Sequence, residues 1–444
     1  MCYRASGSVD LGGSTPTTLN VLVIGSGARE HAIAWKLRQS PRLEDLFAAP
    51  GNPGTAALGT NLPVADSDLD GIVGACRERK IDLVVVGNED PLAAGLVDRL
   101  AVEGIAAFGP TRAAAEIEWS KVFAKELMAR NGIPTAPFAV FDNASAARAY
   151  VESQTGPLVV KADGLARGKG VIVCASTSEA LEAIEAIMVR REFGASGDRV
   201  VIEERLSGRE VSAHALTDGQ TVAHMPFACD HKPVYDGDRG PNTGGMGAYS
   251  PADWLSDAVA GTVRTRITEA AVRAMQAEGR TYRGALYPGL MVTGNGPMVV
   301  EFNCRFGDPE AQVLLPRLES DLLDALWAVA NNRLQETELR WSNDACVAVV
   351  LASGGYPGAY ETGLPIEGIE DVDPDVCVFH AGTRRAGDGA LVTSGGRVLT
   401  VAALGATMEV AREKAYRNVE RIRFEGAHYR RDIGAPRTAA AIPP

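Results

Sequence analysis

The chain contains no apolar run approaching the ~18 residues that a membrane-crossing helix requires, so no membrane partner is expected. Its first eighteen residues, MCYRASGSVDLGGSTPTT, are small and polar and lack the apolar centre of a secretory signal. They read as a disordered extension. Basic residues are in deficit: 44 Lys and Arg against 56 Asp and Glu give a net charge of −12. A protein that coats nucleic acid carries the opposite balance. Cysteine is sparse, and its seven positions (Cys2, Cys76, Cys174, Cys229, Cys304, Cys346, Cys377) never form Cys-x-x-Cys. A disulfide framework or structural zinc site is therefore not expected, and a reducing compartment fits best. No His-x-x-His or His-Glu-x-x-His pairing is present to build a zinc hydrolase. Gly-x-Ser-x-Gly, the nucleophile turn of α/β-hydrolases, is also missing. These exclusions leave an acidic, cytoplasmic, multidomain protein of 444 residues.

Glycine, by contrast, is plentiful, and much of it clusters within apolar surroundings, which suits close backbone approach to a ligand better than it suits linkers. Up to Phe108, strand-like runs (Val21–Ile24, Leu46–Ala49, Ile81–Val86, Ile105–Phe108) alternate with helical patterns, among them 69–79 and 91–102. That rhythm predicts a doubly wound parallel sheet. A long amphipathic helix is expected over 116–130, stopped by Asn131-Gly132-Ile133-Pro134. A compact α+β unit follows, with strands at 138–141, 158–161, 171–174 and 200–204. Then come a hairpin around Asp218-Gly219, a polar glycine-rich loop over 229–250, and two strands joined by Gly294-Asn295-Gly296. The remainder predicts a small C-terminal α+β domain. The expected domains are an extension (1–18), an N-terminal α/β domain (19–120), a central domain (121–335) with a subdomain at about 135–203, a C-terminal domain (336–434) and a tail (435–444).

Five stretches carry chemistry. Gly25-Ser26-Gly27 opens a helix after a strand, a place where backbone N–H groups bind anions. Glu30 stands where the dinucleotide fingerprint needs Gly or Ala, so a phosphate site and a plain tight turn both remain open. In Val159–Val171 a strand delivers Lys161 to a loop holding Gly164, Gly168, Lys169 and Gly170, a composition that can wrap polyphosphate. The P-loop order is absent. Glu203, Glu204 and Leu206, followed by Glu210, place a strand end beside carboxylates. Backbone there can read a purine and a carboxylate can accept from ribose hydroxyls, although paired surface glutamates are commonplace. Strand alternation sets Glu301, Asn303 and Arg305 on one face, and two oxygen ligands spaced two apart suit Mg²⁺. The 236–247 loop is expected to act as a lid.

Taken in order, these blocks resemble the phosphoribosylamine–glycine ligase (glycinamide ribonucleotide synthetase) family of ATP-grasp enzymes. The resemblance rests on VLVIGSGAREHAIAWKL, APGNPGTA, WSKVFAKELMARNGIPTA, VVKADGLARGKGV, GPNTGGMGAYSP, LYPGLMV, EFNCRFGDPEAQ, SGGRVLTV and YRRDIG. It covers nearly the whole chain from about Val21 to Gly434. It implies an ATP-grasp core and the ATP-dependent joining of glycine to 5-phosphoribosylamine through a glycyl phosphate, with Mg²⁺ or Mn²⁺. By resemblance, Lys121, Lys161, Gly164, Gly168, Lys169 and Gly170 serve the ATP phosphates, and Glu203, Glu204, Leu206 and Glu210 serve adenine and ribose. Glu301 and Asn303 hold the metal, Gly25, Gly27, Asn52 and Glu89 hold phosphoribosylamine, and Arg305 with Lys161 is catalytic, Arg305 also touching the substrate. A monomer or weak homodimer acting on small molecules is implied. Three positions depart from the family pattern: Ala28 for glycine, Asn88 for proline and Pro233 for arginine.

Overall fold

The computed structural model describes residues 18–165 and 170–436. Residues 1–17 of the expected extension, Gly168, Lys169 and residues 437–444 of the expected tail lie outside the described residues.

Strand β1 (Leu19–Gly25) is apolar almost throughout, as a strand covered on both faces must be. It leads into α1 (Ala28–Leu37), β2 (Leu43–Pro50), α2 (Pro53–Ala56), β3 (Thr60–Asn61) and α3 (Leu69–Arg79). Then come β4 (Leu83–Val86), α4 (Glu89–Ala94), α5 (Leu96–Val102) and β5 (Ala106–Phe108). The sheet order is β3-β2-β1-β4-β5, all parallel. The chain winds outward from β1 on one side and then restarts at β4 on the other. The crevice beyond the carboxyl ends of β1 and β4 is where such sheets bind ligands. Gly25 and Gly87 line its floor. The helix expected over 91–102 is two helices, because Gly95 adopts φ +90° and ends α4 in a left-handed turn.

Helices α6 (Arg112–Trp119) and α7 (Lys121–Asn131) follow. Sequence periodicity predicts one helix here, but Ser120 is extended (φ −108°, ψ 106°) and caps α7 by accepting from the Phe123 N–H. The break sets Lys121 at the first position of α7. Next is a four-stranded antiparallel sheet in the order β6-β9-β7-β8, from β6 (Phe138–Phe141), β7 (Leu158–Ala162), β8 (Val171–Cys174) and β9 (Val200–Glu204). Its own core is closed by α8 (Ala144–Ser153) and α9 (Thr177–Ile184), with Val151, Val160, Ile184 and Ile202 buried between sheet and helices.

Strands β10 (Arg209–Ser212), β11 (Ala215–Thr217) and β12 (Val222–His224) continue the central region. The expected loop over 229–250 is instead strand-rich: β13 (Cys229–Asp230), β14 (Pro233–Tyr235), β15 (Arg239–Asn242) and β16 (Gly247–Ser250). β16 is buried against the C-terminal sheet, and a Cβ at Gly247 would lie 2.6 Å from the Ala348 carbonyl. There the glycine serves close strand packing, so the segment is not a free lid. A rod follows, from α10 (Asp257–Thr262) through a π-type turn to α11 (Glu269–Ala277). Then β17 (Gly284–Thr293) takes β10 and β11 along one edge and β18 (Gly296–Asn303) along the other. Helices α12 (Ala311–Leu314) and α13 (Leu322–Ala330) lead to β19 (Ala345–Ala352). The rest is β20 (Val376–His380), a hairpin of β21 (Thr383–Arg385) and β22 (Leu391–Thr393), β23 (Arg397–Gly405) and α14 (Met408–Val419). The C-terminal sheet runs β13-β16-β19-β23-β20 with α14 packed on it, so the 229–250 segment ties the central and C-terminal parts together.

Candidate active site

At the crevice between β1 and β4 the glycine turn is already occupied by a carboxylate of the chain itself. Glu30 accepts from the Gly27 N–H at 2.7 Å, and a Cβ at Gly25, Gly27 or Gly87 would lie 2.4 to 2.7 Å from Glu30 side-chain atoms. The residue that broke the dinucleotide fingerprint thus caps the start of α1, reaching back to the N-cap N–H. Arg29 offsets it at 2.6 Å and donates to the Phe306 carbonyl at 3.2 Å. Asn52 is spent on structure. Its amide oxygen accepts from the Gly54 and Thr55 N–H groups, capping α2, and its amide nitrogen donates to the Ser26 and His380 carbonyls. It clasps the glycine turn to the C-terminal part.

Arg305 lies two residues beyond the end of β18, so the strand alternation that put it beside Glu301 and Asn303 stops short of it. Its guanidinium turns to Glu89 at 3.1 Å and Glu118 at 3.2 Å. Glu118 also accepts from the Cys304 N–H at 2.6 Å. The two carboxylates respond in opposite senses. Burial pushes Glu89 up, but Arg305 and Arg29 bring it down to about 2. Burial of Glu118 outweighs Arg305 and leaves its pKa raised.

Across the cleft stand the cations. Lys121 donates to the Gly164 carbonyl at 2.8 Å, and burial lowers its pKa. Lys161 is buried, donates to the Val300 carbonyl at 2.9 Å and pairs with Glu203. Gly164 cannot carry a side chain, since a Cβ there would meet the Ser196 hydroxyl at 2.2 Å. Gly170 closes the same turn, its carbonyl accepting from the Ala162 N–H. Asp163 fixes the turn from below by accepting from the Ser120 hydroxyl and the Val122 N–H. Glu204 lies exposed at the end of β9, with Leu206 just past it.

On β18, Glu301 and Asn303 do share a face. Asn303 donates to the Tyr287 carbonyl at 3.5 Å, leaving its amide oxygen as acceptor. Lys232 lies 3.6 Å from Glu301 and 3.6 Å from Glu210, drawing together residues from three strand regions. Burial raises Glu301, but Lys232, Lys161, Arg305 and Lys121 hold it down at about 2. Below them Glu310 accepts from Ser212 at 2.9 Å and from Tyr287 at 2.5 Å. Arg397 reaches in from β23, pairing with Asp308 at 2.9 Å and donating to the Gly244 carbonyl at 2.6 Å.

The expected residues therefore form two neighbouring groups, Gly25, Gly27 and Glu89 with Arg305, and Lys121, Lys161, Glu203, Glu210, Glu301 and Asn303. Sequence reasoning missed Glu118, Lys125, Lys232, Asp308 and Arg397 as members. An unbroken helix expected over 116–130 gave neither Glu118 nor Lys125 a distinct place. The break at Ser120 was the available signal, because a serine three residues before Phe123 fits an N-cap.

Comparisons with known proteins agree across the chain. Residues 19–118 match the N domain of phosphoribosylglycinamide synthetase, 119–311 its ATP-grasp (A) domain and 346–436 its C domain. The phosphoribosylamine–glycine ligase of Rhodopirellula baltica is 50% identical over 93% of this chain and 97% of its own length. The crystal structure of phosphoribosylamine–glycine ligase from Thermotoga maritima superposes with a TM-score of 0.83 at 36% identity, covering 93% of this chain and 100% of that one. A biotin carboxylase domain from Hydrogenobacter thermophilus, 17% identical with a TM-score of 0.71 over 93% of this chain and 92% of that one, shares the fold alone. The architecture expected from sequence is the one observed: an N-terminal doubly wound parallel sheet, an ATP-grasp core with its smaller sheet, and a C-terminal α+β domain.

Proposed function

The chain belongs to the phosphoribosylglycinamide synthetase family, and from that membership we propose that it joins glycine to 5-phosphoribosylamine, cleaving ATP to ADP and phosphate, in purine biosynthesis. The observation that carries this reading is the meeting of two chemistries in one cleft. Three lysines (Lys121, Lys161, Lys232) surround the oxygen ligands of β18, and the β1/β4 crevice with Glu89 and Arg305 opens beside them. Amide formation needs such a pairing, because a carboxylate acylates an amine only after a leaving group has been attached to it.

In this reading Lys121, Lys161 and the 164–170 turn, including Gly168 and Lys169, take the ATP phosphates. Backbone around Glu203, Glu204 and Leu206 reads adenine, and Glu210 the ribose. Lys232, between Glu210 and Glu301, faces the transferred phosphoryl group. The Gly25–Gly27 turn, held by Asn52, and Glu89 frame phosphoribosylamine, and Arg305 orients the glycine carboxylate or the acyl phosphate. That carboxylate attacks the γ-phosphorus and ADP departs. The phosphoribosylamine nitrogen then attacks the acyl carbon, the C–O bond to phosphate breaks, and the proton of the amine passes to solvent. Catalysis by these residues consists of positioning and charge neutralisation.

Glu301 and Asn303 suit a divalent ion. Glu301 is ionised at neutral pH and its nearest cation stands 3.6 Å away, so its oxygens remain open to ligation. Among the described residues no cluster of three or more His, Cys, Asp or Glu is placed to hold a metal. Two protein oxygens completed by phosphates and water match Mg²⁺, and Mn²⁺ accepts the same donors. When bound, the ion neutralises phosphate charge. The functional bounds we assign are 19–120, 121–335 and 336–434, with the smaller sheet and its helices at about 135–203, acting in the cytoplasm as a monomer or weak homodimer.

The test supplies ATP, glycine and phosphoribosylamine and follows ADP. Its formation is expected to require both co-substrates. ADP release at full rate without the amine would overturn the ligase reading.

A further inference from the structure

One more lysine adjoins Lys161 and has no part in the roles above. Lys125, one turn along α7 from Lys121, is buried, and its ammonium meets one oxygen of Glu203 while Lys161 meets the other. Glu203 is itself 5% exposed. Two lysines on one carboxylate leave this buried triad with one positive charge in excess. Both lysines are also tied to the strand that carries Glu301. Lys125 donates to the Thr135 hydroxyl at 2.7 Å, which donates to the Val299 carbonyl at 2.8 Å, and Lys161 donates to the Val300 carbonyl at 2.9 Å.

Consider the same site without Lys125. Glu203 and Lys161 would form a neutral buried pair, and an incoming phosphate could recruit Lys161 only by stranding the carboxylate, a costly step at low dielectric. With Lys125 in place Glu203 keeps a counter-ion when Lys161 turns to phosphate. We propose that Lys125 is a positioning residue for nucleotide binding, holding Glu203 so that Lys161 is released to an ATP phosphate. This rests on the assignment of Lys161 to the phosphates.

The groups facing Lys125 are Glu203 from β9, Lys161 from β7, the Phe138 ring from β6 at 5.6 Å, and Thr135. Burial lowers its pKa, Glu203 opposes that and Lys161 adds to it, bringing it to about 8. The ammonium is thus charged below about pH 8 and lost above it, so ATP binding should weaken as pH rises through that point.

The experiment measures KM for ATP, KM for glycine, kcat and Tm in the wild type, Lys125→Met, Lys125→Arg, Lys161→Ala and the double variant Lys125→Met/Glu203→Gln. Lys125→Met should raise KM for ATP at least ~10-fold, the scale of one charge-assisted contact, with KM for glycine nearly unchanged. The double variant should recover most of that loss, since no carboxylate remains to hold Lys161. Wild-type KM for ATP should climb above about pH 8, and Lys125→Arg, which keeps its charge, should flatten the climb. A Lys125→Met variant with unchanged ATP affinity, or a loss that the double variant does not relieve, would overturn the proposal. If Lys125→Met does not fold, the pH comparison of wild type with Lys125→Arg decides, and identical profiles would overturn it. Unchanged ATP affinity in Lys161→Ala would instead overturn the phosphate role of Lys161.

Discussion

Arg305 is gripped by two carboxylates of unlike character, Glu89 held ionised and Glu118 pushed toward protonation. A planar guanidinium can serve both at once and still present an edge to an anion, whereas a lysine ammonium cannot reproduce the fork. Arg305→Lys is therefore expected to cut turnover at least ~10-fold while leaving KM for ATP within a few-fold, the energy at issue being one or two charge-assisted bonds. Steady-state kinetics together with a melting curve checks this. A variant that loses thermal stability but keeps its per-molecule turnover would reduce Arg305 to a structural brace. Spacing alone singled out Lys161 with its glycines and Glu301 with Asn303, whereas Lys121, Asn52 and Glu89 were named only through the family resemblance. Their pairings could not be read in advance. Nothing in the string EFNCRFGDPE says that β18 ends at Asn303 and that Arg305 swings away to a helix nearly 190 residues earlier, since that depends on Glu118 being brought up by tertiary packing.

Among the elements, those with strong apolar runs were legible almost to the residue. Helix α3 and strands β6, β8 and β9 stand where the patterns put them, because alternation or helical spacing there coincides with burial. The failures occur where a glycine or a capping side chain overrides an uninterrupted pattern. Gly95 splits one expected helix and Ser120 another, and in the 229–250 segment glycines permit strands to approach closely without supplying an apolar signal. The Ser120 break matters most, since its hydroxyl both caps α7 and donates to Asp163 at 3.0 Å, joining the start of α7 to the turn under Gly164. Ser120→Ala should cost about 1 kcal/mol of stability from the lost cap. It should also raise KM for ATP, because Lys121 sits on the first residue of the helix so capped. Chemical denaturation and ATP kinetics on one preparation test both parts. A stability loss with ATP binding untouched would uncouple the cap from the nucleotide.

The whole molecule is sewn together by polar contacts that cross from its N-terminal to its C-terminal part, and these make it sensitive to acid. The His380 N–H donates to His31 Nδ1 at 2.8 Å, the His380 carbonyl accepts from Asn52, and the His31 ring meets Phe379 edge-on at 5.6 Å. In the central part His214 accepts from the Gly307 N–H at 3.1 Å and stacks on Tyr287, bracing the turn that leads to Asp308. His31 and His214 each accept at a ring nitrogen, which requires the neutral imidazole. Burial brings His31 down to about 3, with His380 adding to the effect, and burial brings His214 and His380 down to about 4. In the unfolded chain they titrate at about 6.5. Between those values the unfolded state binds protons that the folded state refuses, so stability must fall as pH drops from about 6.5, by up to ~1.4 kcal/mol per pH unit for each histidine. The depressed carboxylates Glu89 and Glu301 add their own loss only at lower pH, as acid passes from about 4.5 down through their folded values of about 2. Melting temperature measured from about pH 7.5 down to 4.5 should thus decline within the histidine window, before the depressed carboxylates Glu89 and Glu301 take up protons. His31→Gln, whose amide oxygen can accept from the His380 N–H without gaining a proton, should flatten the decline. A melting temperature constant across that range would mean that the seam between the N- and C-terminal parts opens enough to hydrate these rings. In that case acid would act on the molecule through its carboxylates alone.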